Sequence, residues 1–489
     1  MIFADLKLNE DEPIYKQLEN YIENAINNGI LLSDSKLPSS REASKLLGVS
    51  RNTIMTAYDN LESKGVIYSI KGRGSFVNSI ATIALESEDT ISKATSSIKW
   101  ASMRNTYSIA AEDMDIIKTE LPYQKGMISF KSIAPEGTLF DVEDFKRAFL
   151  DILAIEEEKI LNYGYAQGYI HLINFLKEYM QQKGVDTTNK EILITNGFTE
   201  GLEIIVSSYL KPGDTIVCEE PLHHTSIKIF RAHEVNIVGV PMDSQGIVPD
   251  KLEAAIVKNN PKFVYLTPAY QNPTGIVMSG ERRKRVCEIL EKYSVPCIED
   301  GFNEELLYSS APIKPLSGMT NFDGMVYVGS LSKILFPGIR LGWILADKYC
   351  VSTLESVKRL KNIHTSFLDQ AVFMQYMKSG AFERYLKKIR KFYKDKFLFT
   401  ENKIKEYLPV SRIWGEGGLH IYVKLTNNIN TRALLENCYK RGVLFMPGDI
   451  FHLSNEPTSE MRIGFARLSE EEIEIGLTII GEEAKRLLH

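Results

Sequence analysis

Lys333 closes the stretch Gly329-Ser330-Leu331-Ser332-Lys333, directly after the apolar run Met325-Val326-Tyr327-Val328, and Arg340 follows seven positions later. A lysine that leaves a strand through a turn of small residues can project its amine into a cleft, where it is a nucleophile toward a carbonyl. Lysines beside apolar runs more often lay their stems along the surface. The two serines before Lys333 and the arginine after it argue against that ordinary use. Asp300 ends the run Val295-Pro296-Cys297-Ile298-Glu299, and Asn272-Pro273-Thr274-Gly275 lies upstream. Taken alone, Asp300 would read as a strand-end loop carboxylate. A second polar group stands near the N-terminus, Ser50-Arg51-Asn52-Thr53. Arginine can bond guanine bidentately and asparagine can bond adenine so, while serine and threonine can hold phosphates.

The elements that must position these groups are legible from periodicity. Ile14, Leu18, Tyr21, Ile22 and Ile26 fall on one face of a helix over residues 13–29, with Pro13 in its first turn. Ser39 and Ser40 can cap a second helix that ends near Gly48. Ser50 can cap a third, with Ile54, Ala57, Tyr58 and Leu61 on one side, ending at Gly65. Two strand-like runs follow, Val66–Ile70 and Ser75–Val77, joined by Lys71-Gly72-Arg73-Gly74. Three helices and a glycine-tipped hairpin make a winged helix-turn-helix. Residues 79–126 carry no sustained apolar period before Trp100 and read as a linker with some local helix, docking through Trp100. From Ile128 to about residue 350, apolar strands alternate with helical stretches, as in Ile192–Ile194, Thr215–Cys218, Phe263–Leu266 and Met325–Val328. That alternation predicts an α/β fold with a mostly parallel sheet covered by helices. Residues 355–407 read as helical, and His420–Lys424 and Met461–Phe465 as strands of a smaller C-terminal subdomain.

Length and composition agree with this division. A chain of 489 residues is too long for one core. The net charge of −5 gives no hint of nucleic acid. Its distribution does: residues 1–35 are acidic, whereas residues 36–76 carry Lys36, Arg41, Lys45, Arg51, Lys64, Lys71 and Arg73 against Glu42, Asp59 and Glu62. Charge alone would still favour a mixed solvated surface. The 5 cysteines are scattered without a C-x-x-C pair, which suits reduced thiols and neither disulfides nor zinc. No N-terminal basic segment precedes a long apolar run, and no stretch approaches a membrane span. The expectation is a cytoplasmic protein with no metal.

The residues from Asn272 to Arg340 resemble the pyridoxal 5′-phosphate (PLP) site of fold-type-I aminotransferases, a likeness covering roughly residues 127–489. Leu37-Pro38-Ser39-Ser40-Arg41-Glu42, Val49–Thr53 and Lys71–Phe76 are similar to GntR-type winged helices. The two together resemble the MocR-type subfamily of GntR regulators. The resemblance implies a lysine for the Schiff base at Lys333 and an aspartate for the pyridine nitrogen at Asp300. It implies a partner for the ring's O3′ at Asn272 and phosphate ligands at Ser330 and Arg340. Further phosphate contacts are expected from backbone N–H groups at the helix start Phe198-Thr199, where an anion is favoured. His223 lies where relatives usually stack an aromatic on the ring. Phe302 stands where many relatives have a tyrosine that donates to O3′, a neutral bond nominally worth ~0.5–1.5 kcal/mol. Arg462 resembles the arginine that clamps an amino acid carboxylate, for which a guanidinium fork is suited.

On the DNA side, Ser50, Arg51, Asn52 and Thr53 start the recognition helix, Arg41 lies on the preceding helix, and Lys71 and Arg73 tip the wing. Met55 occupies a position where some GntR proteins carry a DNA-contacting arginine. These features divide the chain into a winged-helix domain (1–78), a linker (79–126) and an aminotransferase-like effector domain (127–489). The expected partners are operator DNA and a small amino compound, and the expected state is a homodimer. The favoured function is a transcriptional regulator in which the cofactor site senses an amino compound, or PLP itself, with little turnover. The alternative is a working aminotransferase carrying an accessory winged helix.

Overall fold

The computed structural model describes residues 3, 6, 12–27, 31, 35–70, 74–78, 100–115, 121–301, 304–306, 308, 314–331, 334–454 and 456–488. Lys71, Arg73, Phe302 and Lys333 of the sequence reading lie outside these residues. The chain forms two compact units. One takes Met1–Met103 with Gln124–Gly126, the other Arg104–Tyr123 with Met127–His489.

In the smaller unit, α1 (Ile14–Asn27), α2 (Ser40–Leu47) and α3 (Arg51–Ser63) precede a hairpin of β1 (Ile67–Ile70) and β2 (Gly74–Val77). The predicted apolar faces make the core: Leu18, Ile22, Ile54, Ala57 and Leu61 are fully buried. Ser39 caps α2 in a reciprocal box with Glu42, satisfying two orphan donors at the helix start. The buried Glu19 of α1 accepts from Asn60 Nδ2 at 2.7 Å and Lys64 Nζ at 2.9 Å, which fixes α1 against the end of α3. β1 and β2 are antiparallel with Tyr68 opposite Phe76, and Lys36 bridges to Phe76 on the other side.

The larger unit begins with α4 (Thr106–Asp113). It continues through β3 (Ile128–Ser129), α5 (Val142–Glu156), α6 (Ile170–Gln182), β4 (Lys190–Thr195), α7 (Phe198–Tyr209), β5 (Thr215–Glu220) and α8 (His224–Ala232). Next come β6 (Asn236–Asp243), β7 (Gly246–Ile247), α9 (Pro249–Asn259), β8 (Phe263–Leu266), α10 (Gly280–Tyr293), β9 (Cys297–Asp300), β10 (Met325–Ser330) and β11 (Gly342–Asp347). These eight strands from β4 to β11 form one sheet in the order β4-β11-β10-β9-β8-β5-β6-β7. Neighbours from β10 to β6 are parallel, whereas β11 is antiparallel to both β10 and β4. β4 therefore runs in the direction of β10. β8 and β9 are buried at every position, as strands covered on both faces must be.

Three long helices follow: α11 (Lys348–Asn362), α12 (Phe367–Lys378) and α13 (Ala381–Tyr407). The C-terminal part adds β12 (Val410–Trp414), β13 (His420–Leu425), α14 (Thr431–Lys440), β14 (Val443–Leu444), β15 (Met446–Pro447), β16 (Glu460–Gly464) and α15 (Glu470–Arg486). Its antiparallel sheet runs β12-β13-β16-β15. Among the described residues no helix is long and apolar enough to cross a membrane.

The linker expectation needs one correction. Trp100 is 66% exposed, so it is not a buried anchor. Docking instead falls to α4, which packs on α8. Tyr107 donates to Glu203 at 3.2 Å and sets its ring edge-on to His233 at 5.2 Å. A tyrosine with a polar tip can bridge an apolar helix face and a half-buried hydrogen-bonded pair, here His233–Glu203 at 2.9 Å.

Candidate functional site

In a parallel sheet the crevice for a ligand lies beyond the carboxyl ends of the strands. Here β4, β5, β8, β9 and β10 all end on one edge, carrying the predicted residues with them. Strand register explains why distant positions meet. Gly342 lies opposite both Ser330 and Thr195. Ser330, Arg340 and the turn Asn196-Gly197 therefore share one corner. Arg340 is held at φ 48° and donates from Nη2 to the Asn196 carbonyl at 2.8 Å. Gly197 has φ 85°, and a Cβ there would lie 2.7 Å from Arg340 Nη2. The backbone conformation there favours glycine, and the missing side chain leaves room for the arginine. α7 starts at Phe198 with no side-chain cap, so Phe198 and Thr199 sit at the positive end of a helix dipole.

Asp300 ends β9 and is 4% exposed. Tyr265 of β8 donates to its Oδ2 at 2.6 Å. His223 immediately precedes α8, half-buried, with its ring 6.1 Å from that of Phe198. Asn272 is buried and accepts at Oδ1 from Arg462 Nη1 at 2.8 Å. Its Nδ2 has no hydrogen-bond partner among the described residues. Arg462 stands on β16 of the smaller sheet and reaches across to the larger one. Its Nη2 donates to the Lys131 carbonyl at 3.2 Å, and its guanidinium lies 5.1 Å from the Phe451 ring. Among the described residues no carboxylate pairs with it, and burial pulls its pKa down to about 10.

Sequence reading missed several residues that build this cleft. Gln271 braces two loops: its Nε2 donates to the Pro221 carbonyl at 2.7 Å and its Oε1 accepts from the Thr274 N–H at 3.0 Å. Glu200 accepts from the Asn196 N–H at 2.5 Å and shapes the turn before α7. Glu219 is fully buried behind Asp300 and accepts from the Thr267 N–H at 2.9 Å. Burial first, and the charge of Asp300 after it, push its pKa up to about 8. Only Gln271 carried a signal, its place beside Asn272-Pro273.

The cleft offers what a phosphorylated pyridine requires. It has a buried amide donor awaiting an acceptor and an uncapped helix start beside a glycine turn and an arginine. At the far side stands a buried carboxylate. These fit PLP.

In the smaller unit, Arg41, Ser50, Arg51 and Asn52 are exposed and Thr53 is half-buried. Ser50 Oγ accepts from the Thr53 N–H at 3.1 Å and lies 2.8 Å from Thr53 Oγ1, so both hydroxyls serve the helix cap. Arg51 Nε donates to Ser40 Oγ at 3.0 Å, which aims its guanidinium beside the start of α2.

Residues 127–480 match the family described as aminotransferase class I and II, and residues 14–77 match the bacterial regulatory proteins of the gntR family. The chain is similar to the uncharacterized HTH-type transcriptional regulator YdfD of Bacillus subtilis (strain 168), 27% identical over 100% of this chain and 99% of the relative. It is also similar to the probable rhizopine catabolism regulatory protein MocR of Rhizobium meliloti, 24% identical over 96% of this chain and 93% of the relative. Among solved structures, the multiple substrate aminotransferase of Thermococcus profundus superposes with a TM-score of 0.74 at 28% identity, covering 80% of this chain and 99% of that one. Aminotransferases of this family depend on PLP. The chain belongs to the aminotransferase class I and II family, and its N-terminal GntR-type helix-turn-helix makes it a regulator of the MocR type.

Proposed function

We propose that the cleft holds PLP on Lys333 and receives an amino compound bearing a carboxylate, and that its occupancy alters how the winged helix binds operator DNA. Bound PLP supplies an aldehyde that condenses with amines and a ring that withdraws electrons. The chain's own residues do the rest. Ser330, Arg340 and the N–H groups of Phe198 and Thr199 hold the phosphate. Asp300 keeps a proton on the ring nitrogen, Asn272 Nδ2 donates to the ring oxygen, and His223 lies against the ring. Arg462 takes the carboxylate of the amino compound.

The single observation that carries this reading is Arg462. A guanidinium 3% exposed, without a carboxylate among the described residues, is costly to bury and is completed by an anionic ligand. Arg462 also donates to Asn272, so a ligand's carboxylate and the cofactor's ring share one bonded pair.

Operator contacts fall to Arg51 and Asn52 at base edges, and to Arg41, Ser50, Thr53, Lys71 and Arg73 around them. Residues 1–78 form the reading domain and 127–489 the effector domain. Residues 79–126 form the linker, whose α4 rests on α8, the helix that His223 precedes. The protein works as a homodimer. Support comes from an apolar face on α5 and the segment after it, where Leu150, Leu161, Tyr163 and Tyr165 are 56%, 84%, 83% and 81% exposed.

The test compares two readouts on full-length protein. Titrating amino acids should change operator affinity by about fivefold or more, the usual scale of coupling between sites. Multiple turnover with a keto acid should be slow. Arg462→Ala should remove the ligand response while sparing the visible band of bound PLP. Fast turnover with no effect of any amino acid on DNA binding would leave an aminotransferase with an accessory domain.

A further inference from the structure

Asp300 does not meet the cofactor on its own. Tyr265 lies on the neighbouring strand β8, opposite Ile298, two residues before Asp300 on the same face. Its hydroxyl donates to Asp300 Oδ2 at 2.6 Å, and Ser226 Oγ donates to that hydroxyl at 3.2 Å. Tyr265 and Ser226 are both fully buried. α8 grips the tyrosine twice: Ser226 holds the hydroxyl, and Phe230, one turn on, packs edge-on against the ring at 5.7 Å.

A hydroxyl in such a place is costly unless bonded, and phenylalanine would fill the same space without that cost. The hydroxyl therefore serves its acceptor. Burial, then the charge of Asp300, raise the tyrosine's pKa well above its ordinary value, so it stays protonated and remains a donor. A donor on a carboxylate stabilises the anion and lowers its basicity. The proton shared between a ring nitrogen and Asp300 then stays on the nitrogen.

We propose that Tyr265 is a positioning residue for the ring-nitrogen carboxylate, held in register by Ser226. The proposal rests on the reading of Asp300 given above. Removing the hydroxyl makes Asp300 more basic, draws the ring proton toward it and frees the carboxylate to turn.

The experiment uses full-length protein loaded with PLP, as wild type, Tyr265→Phe, Ser226→Ala and Asp300→Asn. It reads the pH midpoint of the bound cofactor's visible band and the affinity for PLP. Asp300→Asn should give the largest change in both. Tyr265→Phe should raise the midpoint by roughly half a unit and weaken PLP binding about three- to tenfold, the scale of one charge-assisted hydrogen bond partly retained without ligand. Ser226→Ala should move both in the same direction by less, and it carries the test if Tyr265→Phe does not fold. If Asp300→Asn shifts the midpoint while neither Tyr265→Phe nor Ser226→Ala does, Tyr265 is core packing and the proposal is wrong. If Asp300→Asn changes neither quantity, the reading of Asp300 falls, and the role of Tyr265 with it.

Discussion

The reading helix and the cofactor cleft use polar side chains in opposite ways. In the reading domain, Arg41, Arg51 and Asn52 are exposed, and the bonds around them are local: Ser39 with Glu42, Ser50 with Thr53, Arg51 with Ser40. In the cleft, Asn272, Asp300 and Arg462 are 2%, 4% and 3% exposed, and their partners come from other strands and another sheet. An exposed charge is cheap to hold and individually weak. It acts by summation with phosphates and is graded by salt. A buried charge is costly and must be completed by a partner, so each member of the set depends on the others. The expectation is graded loss in the head and all-or-none loss in the cleft.

The largest expected effect tests the all-or-none side. Borohydride reduction of the PLP-loaded protein should fix the cofactor on Lys333, and Lys333→Ala should abolish the adduct entirely. The alternative amine is Lys358, buried in α11, donating to the Ala166 carbonyl at 2.8 Å and pulled by burial down to about 8. Peptide mapping that puts the adduct on Lys358 would break the comparison, because the covalent anchor would then lie away from the strand ends.

The graded side predicts a smaller change. Arg51→Ala should cost about 1–3 kcal/mol at the operator if the guanidinium reads a base. Lys71→Ala or Arg73→Ala should weaken binding evenly across sequences and reduce the slope of log affinity against log salt by about one. Equal weakening of all sequences by Arg51→Ala would move that residue to the phosphate group and make the head purely electrostatic. A selection from random DNA that recovers no preferred sequence would remove the reading role altogether.

The same contrast explains what could be read from the chain alone. The head was legible because its signals are local: caps at Ser39 and Ser50, apolar spacing on α1 and α3, glycines at the wing. In the cleft, Ser330 and Arg340 stood out because their spacing in sequence is itself the pattern, whereas Lys333, which completes that pattern in sequence, lies outside the described residues. Tyr265 was not. In Phe263-Val264-Tyr265-Leu266 it reads as one more apolar strand residue. Its task follows from β8 lying beside β9, which no local rule states. Ser226 was hidden for the same reason. The antiparallel insertion of β11 between β4 and β10 was also invisible, although it is what sets Ser330 and Thr195 level with each other on either side of Gly342. The docking of α4 was misplaced onto Trp100 because that helix has little amphipathic pattern. Its attachment includes Tyr107, with Glu203 and His233 supplied by α7 and the end of α8, and Thr106, which donates to Glu234 at 3.0 Å.

Between the two extremes stands His452, whose side chain is 21% exposed. Its Nε2 lies 2.9 Å from Glu460 at the start of β16 and its Nδ1 3.9 Å from Glu220 at the end of β5. It therefore clasps the smaller sheet to the edge of the larger one. Tyr422 donates to Glu460 at 3.0 Å and Lys424 lies 3.8 Å from it, so the site is a partly paired network. Burial opposes the imidazolium, but the bonds and charges of Glu220 and Glu460 outweigh it and raise the pKa from 6.5 to about 9. A raised folded pKa means that the folded state holds a proton the unfolded chain has released. The stabilisation is complete below about pH 6.5 and is lost as pH rises through about 9. After solvent screening this amounts to about 1–2 kcal/mol. His452→Gln should lower stability near neutral pH by that amount and flatten the fall in stability between neutral pH and about 9, measured by denaturant titration at a series of pH values. If wild type and His452→Gln instead lose stability in parallel across that window, the clasp behaves as an exposed pair, and the graded regime extends into the effector domain.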